Sequence, residues 1–367
     1  MPCIEKSSRA DAGVSVVVPV LNGARWLSDV LAAIRVELAG RPHEILVIDD
    51  GSQDGSIAIC RGEDDGHLQV VRGPGRGAAA AVNLGLRLAR FRLVAQIDQD
   101  VIVGPGWFDT LIDALHDPGV AAAQGWYVTD PAAPALTRVM SIDLEQRYAR
   151  IDRGVSDHVC TGNVVWRLDA LERVGLLDES LGYGYDNDLS YRLIAAGYRL
   201  VIRREAASVH RWREGVAGYL RQQYGFGYGR LDLVARHRDR VGGDAVSPAM
   251  MMAHPLLMAA ALGLLLCGGL SWLMSRPVMP WSLSAAALVG FLGVERAVAG
   301  MVAACRWRDP AGLLFPVVHL LRDLAWVAAM ARWLSRRIAG APVAPAHSMQ
   351  PRAAEGSVMA KPVAEER

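Results

Sequence analysis

The sequence predicts an α/β fold, a Rossmann-like, mainly parallel sheet with flanking helices, followed by C-terminal transmembrane helices. Three observations carry this expectation. Strand and helix patterns alternate over the first hundred residues, which calls for βαβ units. Acidic or glycine-rich turns follow the strands, where parallel sheets place ligand sites. No Asp, Glu, Lys or Arg occurs in residues 245–275 or 277–294, whereas residues 1–240 read as a soluble domain.

Residues 14–20 are a β-branched apolar run closed by Asn22-Gly23, a strand and its turn. Residues 26–38 place Leu27, Val30, Leu31, Ile34 and Leu38 at a helical period. A second buried strand spans 44–48 and ends in Asp49-Asp50-Gly51-Ser52; a short helix is expected over 56–61. A third strand covers 68–71, then the glycine-rich 73–77 and an alanine-rich helix over 78–90. The fourth strand, 93–97, stops at Asp98-Gln99-Asp100. Further on, helices are expected at 107–116, 137–151, 168–174 and 189–196, and strands at 120–128 and 199–202. Residues 130–134 read as a loop and 157–166 as a small-residue, β-rich stretch. Residues 215–237 mix aromatics with arginines and read as an amphipathic interfacial helix or a core-facing one; Gly225, Gly227 and Gly229 weaken its middle. Segments 248–274 and 279–301 are long enough to span about 30 Å of hydrocarbon. A third, 310–331, is interrupted by His319, Arg322 and Asp323, so it must pair these internally, lie flat or re-enter. The expected organisation is a tail over 1–12, an α/β domain over 13–210, a connector over 211–247, a membrane region over 248–338 and a disordered tail over 339–367.

Composition narrows the function. The 367 residues carry 39 basic and 38 acidic side chains, a net charge of +1, which argues against a nucleic-acid protein working through a basic field. Cys3, Cys60, Cys160, Cys267 and Cys305 are an odd, scattered set without zinc spacing and read as reduced thiols. The start lacks an apolar core typical of a secretory signal, so the α/β domain is expected in the cytoplasm. Basic clusters after the second and third segments (Arg306 and Arg308; Arg332, Arg336 and Arg337) belong on the cytoplasmic side, which two spans plus an interfacial or re-entrant third segment satisfy.

The chemistry sits in three constellations. Asp49 and Asp50 at a strand end suit hydrogen bonds from a base or ribose, or simply cap the next helix. Asp98 and Asp100, two residues apart at a strand end, suit a hard divalent cation such as Mg²⁺ or Mn²⁺. Asp186 and Asp188 flank a helix start, where an Asp serves as a general base or as a cap, with Asp188 paired to Arg192. A rival reading is also open: Gly73-x-Gly75-x-x-Ala78 with Asp98 beyond it fits a dinucleotide fingerprint, though in the third βα unit rather than the first.

In this order and spacing the motifs resemble glycosyltransferase family 2, inverting transferases of GT-A fold. The residues that carry the resemblance are Val14–Val20 with Leu21-Asn22, Val47-Ile48-Asp49-Asp50-Gly51-Ser52, Arg76-Gly77 through Asn83-Leu84-Gly85, Asp98-Gln99-Asp100, Cys160-Thr161-Gly162-Asn163 and Gly184-Tyr185-Asp186-Asn187-Asp188-Leu189. It covers roughly residues 13–210 and echoes the family's membrane-anchored members. The resemblance implies a nucleotide-diphosphate sugar donor held by Pro19, Asn22, Asp50, Arg76, Asn83 and Asp98. It implies a metal at Asp100 with His210 as a further ligand, and Asp186 as base with Asp188 as the nearest substitute. Tyr185 stands where the family has Glu. His210-Arg211-Trp212-Arg213 departs from the Gln-x-x-Arg-Trp motif of processive synthases, which argues against processivity. Expected partners are a lipid or glycan acceptor at the inner, cytoplasmic membrane, with the catalytic domain on the cytoplasmic side. A non-catalytic sugar-nucleotide scaffold and a nicotinamide oxidoreductase are the alternatives.

Overall fold

A computed structural model describes residues 10–340 except 63–65, 152–153 and 213. Arg213 and the tail over 341–367 therefore lie outside the described residues.

Strand β1 (Ala10–Val20) is the centre of the first half-sheet, flanked in parallel by β2 (His43–Asp49) and β4 (Phe91–Ile97). β3 (Leu68–Arg72) extends the parallel set beyond β2. Helices α1 (Leu27–Leu38), α2 (Ser56–Gly62) and α3 (Ala78–Leu88) make the crossovers. β1 begins four residues before the expected start. Its Pro19 lies past the last β1–β4 pair, Val17 with Gln96, where that ladder does not need its missing N–H.

The second half-sheet is mixed. After β5 (Val101–Val103) and α4 (Trp107–Ala114) come β6 (Val120–Val128), α5 (Ala135–Tyr148), β7 (Val155–Ser156) and β8 (Asn163–Arg167). Helices α6 (Leu168–Val174) and α7 (Tyr185–Ala195) precede β9 (Arg199–His210). The sheet order is β3-β2-β1-β4-β8-β6-β9-β5, with β7 on β9; β8 runs antiparallel to β4 and β6. Two corrections arise here. α7 starts at Tyr185, not 189, because left-handed Gly184 (φ 78°) lets the chain enter the helix directly through Asp186-Asn187-Asp188. β9 runs on to His210, not 202, because β5 and the end of β6 continue its ladder. The core is the fully buried aliphatic set of β1, β2 and β4 with Leu31, Ile34, Trp107, Phe108 and Trp166.

Helix α8 (Val216–Arg236) is unbroken through Gly225, Gly227 and Gly229. They are contact surfaces: a Cβ at Gly225 or Gly229 would overlap Tyr183, and one at Gly227 would press on Trp326. Three further helices, α9 (Ala249–Leu273), α10 (Met279–Trp307) and α11 (Phe315–Ile338, entered through the turn Pro310–Leu314), are long and apolar enough to cross a membrane by length and composition. Leu266, Trp272 and Leu283 are largely exposed on their outer faces. The charges inside are paired: Arg322 contacts Asp323 at 2.8 Å and His254 at 3.1 Å, and His254 faces Glu295 at 3.3 Å.

The α/β domain and these helices are joined. Val139, Met140, Ile142, Tyr219, Ala303, Phe315 and Val318 form a second apolar core. Around it, Arg138 pairs with Asp309 at 2.8 Å and Trp307 donates to Glu145 at 2.8 Å. α11 lies along α8: Tyr219 donates to the Val318 carbonyl near one end, and Trp333 donates to Asp232 near the other.

Candidate active site

β1, β2 and β4 lie side by side, and the loops at their carboxyl ends carry Asn22, Asp50 and Asp98. Asn22, in left-handed geometry at φ 55°, bridges to the next loop: its N–H donates to Ser52 at 2.9 Å and its Oδ1 accepts from Gln53 at 2.8 Å. Gln99 bonds both ways to the main chain of Leu21, so the Asp98-Gln99-Asp100 turn is locked to the end of β1. Asp50 accepts from the N–H groups of Gly75 and Gly77 at 2.7 Å each. This corrects the dinucleotide reading: the glycine loop spends on Asp50 two of the N–H groups that a pyrophosphate would need.

Two expected donor residues serve the walls of the cleft. Asn83 is fully buried and clamps the segment after α6, donating to the Leu177 carbonyl and to Glu179 and accepting from Leu177 N–H. Arg76 is exposed and ion-paired with Glu179 at 2.9 Å.

Asp98, Asp100, His210 and Asp186 converge. His210 ends β9 opposite Val101, which sets its Nε2 3.4 Å from Asp100. Its Nδ1 is buried without a hydrogen-bond partner among the described residues, and its ring packs against Tyr127 and Trp212. Asp98 is pushed up to about 7 by burial first and then by the charge of Asp100, with Asp186 adding to it and His210 pulling the other way. A carboxyl held that high beside a second one marks a place short of positive charge. Two hard oxygen donors and an imidazole fit Mg²⁺ or Mn²⁺. Gly162 (φ 85°) completes the wall: its carbonyl accepts from Asp98 N–H at 3.0 Å, and a Cβ there would overlap the Asp98 carboxylate. That close approach is the physical content of the Cys160–Asn163 motif.

Asp186, at the first turn of α7, is half-buried and accepts from Asn187 N–H at 2.9 Å. Asp188, two residues on, is buried, with one oxygen held by Arg192 and the other by His237, each at 2.8 Å. One oxygen thus closes an i, i+4 pair within α7, and the other ties α7 to the end of α8. Tyr185 faces Asp98 and Asp186; burial first, then these carboxylates, hold its hydroxyl pKa well above the usual tyrosine value, so it keeps its proton.

Residues that sequence reasoning did not single out complete the site. His158 sits between Asp186 (3.6 Å) and fully buried Asp244 (3.9 Å). Asp244 in turn binds Arg230 at 3.1 Å and the Tyr191 hydroxyl at 2.7 Å. His158 and Asp244 are 86 residues apart, and no local pattern links them. Asp186, His158 and Cys160 also line a largely apolar cavity of about 200 Å³, walled by α5, α8, Met251 of α9 and Val318 and Trp326 of α11.

Residues 15–175 match the model of glycosyl transferase family 2. The chain is 31% identical over 264 residues to the pre-mycofactocin glycosyltransferase of Mycobacterium tuberculosis (strain H37Rv), covering 68% of this chain and 53% of that protein. It is 27% identical over 345 residues to the succinoglycan biosynthesis protein ExoA of Rhizobium meliloti, covering 88% and 96%. It thus spans about half the length of the mycobacterial relative. Among solved structures it resembles a mannosyltransferase of Pyrobaculum calidifontis in complex with GDP-Man and Mn²⁺, with a TM-score of 0.57 and 19% identity, over 89% of this chain and 88% of that one. At that identity the likeness is one of fold.

Proposed function

For a chain that carries a glycosyltransferase family 2 domain of GT-A fold, we propose an inverting transfer of a sugar from a nucleotide-diphosphate donor to a hydroxyl of a membrane-resident acceptor, lipid or lipid-linked glycan. The observation that carries this reading is the position of Asp186. Its charge acts on Asp98 on one side, and it lines the cavity walled by α8, α9 and α11 on the other.

The donor's nucleotide end belongs in the cleft of Asn22, Asp50 and Asp98. Asp100 and His210 would hold a divalent cation, whose charge stabilises the departing diphosphate when bound. Asp186 takes the proton of the acceptor hydroxyl at a carboxylate oxygen as the hydroxyl oxygen attacks the anomeric carbon and the bond from that carbon to the diphosphate breaks. Attack from the face opposite the diphosphate inverts the centre, and one carboxylate suffices because no covalent sugar–enzyme bond forms. Tyr185, which keeps its proton, does not compete as base.

The membrane topology follows from the same contacts. α8 is tied to the α/β domain at its far end by Arg236 with Asp178 and by His237 with Asp188, and α11 lies along α8 from Val318 to Trp333. Both ends of α11 therefore stay near the domain. We assign α9 and α10 as the two spans and α11 as an interfacial helix, with the domain on the cytoplasmic side.

The test uses full-length protein in detergent with a panel of nucleotide sugars. Nucleoside diphosphate release should require Mg²⁺ or Mn²⁺ and be lost in Asp100→Asn. Release that is indifferent to metal and to this substitution would refute the reading, and NADH oxidation in its place would revive the oxidoreductase.

A further inference from the structure

The cleft described above is a hard-ligand site; beside it lies a set of donors of a different kind. His158, Cys160 and Asp186 each offer one atom, and these atoms all lie within 4.8 Å of one another. Four-coordinate zinc, with bonds of about 2.0–2.3 Å, sets its ligand atoms roughly 3.3–3.8 Å apart. His158 Nε2 and Asp186 Oδ2 are already 3.6 Å apart.

The second observation is the state of the imidazole. His158 is 5% exposed, and neither ring nitrogen has a hydrogen-bond partner among the described residues. A buried polar side chain left in that state is uncommon. A third lies in the thiol: Cys160 Sγ accepts from the Tyr148 hydroxyl at 3.3 Å, a contact that fixes where the sulfur points. The cavity that all three residues line gives an ion a way in.

We propose that His158, Cys160 and Asp186 form a soft-metal site selective for Zn²⁺ over Mg²⁺, and that its occupancy switches transfer off. One sulfur, one nitrogen and one oxygen ligand suit zinc and not the hard cations of the neighbouring cleft. Binding exchanges one Zn²⁺ for the Cys160 thiol proton and the His158 imidazolium proton, both of which leave to solvent, and the fourth position stays open to water. The inhibitory half rests on Asp186 being the base: a carboxylate oxygen bound to zinc no longer accepts the acceptor proton.

The experiment has two arms, both on full-length, metal-stripped protein in detergent. Titration with Co²⁺ as a spectroscopic probe should give a thiolate-to-cobalt charge-transfer band that saturates at one ion per chain. The band should vanish in Cys160→Ser, its apparent affinity should fall on the order of 10-fold or more in His158→Gln, and it should persist in Asp100→Asn. Circular dichroism confirms that each variant is folded. No band, or a band that survives Cys160→Ser, overturns the site. In the second arm, Zn²⁺ added over Mn²⁺ should suppress nucleoside diphosphate release by the wild type, while Cys160→Ser keeps its own zinc-free rate. A Cys160-dependent band without inhibition would leave the site standing and overturn its regulatory role, and would count against Asp186 as base.

Discussion

Asp98 and Gly162 show how closely the chemistry depends on single atoms. The Asp98 carboxyl is pushed up to about 7 because it is buried beside Asp100, and it sits against a residue with no side chain. Gly162→Ala would be strained twice, by its φ of 85° and by overlap with that carboxylate. The variant should keep its fold by circular dichroism and lose Mn²⁺-dependent donor binding at least tenfold in calorimetry. Unchanged donor affinity would remove Asp98 from the donor site. Asp244 makes a separate prediction about stability. Burial pushes its pKa up, but His158, Arg230 and the Tyr191 hydroxyl outweigh that and hold it below the usual value. A depressed carboxyl stabilises the fold at every pH above its unfolded value of about 4 and loses that contribution as pH falls further. The contribution of Asp244, read as the difference in melting temperature from Asp244→Asn, should thus be constant from neutral pH down to about 5 and shrink below about 4. Asp244→Ala, which strands Arg230 in a buried position, should cost about 3–5 kcal/mol at neutral pH.

Helix α8 sets local preference against packing. Glycine costs a helix about 1 kcal/mol relative to alanine, so propensity alone says that Gly229→Ala stabilises. The structure says the opposite, because the added methyl would overlap Tyr183. We expect a lower melting temperature and a disturbed Tyr183–Asp186 segment, read as loss of turnover; a raised melting temperature would contradict the packing. The parallel half-sheet and its crossovers were legible in the sequence because strands buried on both faces, such as residues 14–20 and 44–48, read as continuous apolar runs. Short β5 was not, since three residues carry no period. The end of β9 was hidden because Arg203, Arg204 and Glu205 interrupt its apolar pattern while its ladder continues. The acidic residues of the site were legible from their places at strand ends. His158 and Asp244 were not, because only the packing of α7 and α8 brings them to Asp186.

At the scale of the molecule, the three long apolar helices and the transferase domain form a continuous structure. The Arg138–Asp309 pair, the Trp307–Glu145 hydrogen bond and the apolar core around Phe315 connect α5 directly to α10 and α11. The proposed topology places the short turn between α9 and α10, around Ser275, alone on the far side of the bilayer. In sealed inverted vesicles, from a background without native cysteines, Ser335→Cys should react with an impermeant maleimide and Ser275→Cys should not. Protection of both would mean that α11 crosses the membrane, and labelling of both that α9 and α10 do not. The account as a whole stands on Asp186 as the base between donor and acceptor, and Asp186→Asn measures this most directly. It should lower turnover by about 10²–10⁴ while the affinity for the nucleotide sugar and its metal dependence stay as in the wild type. Full turnover in that variant would contradict the central claim.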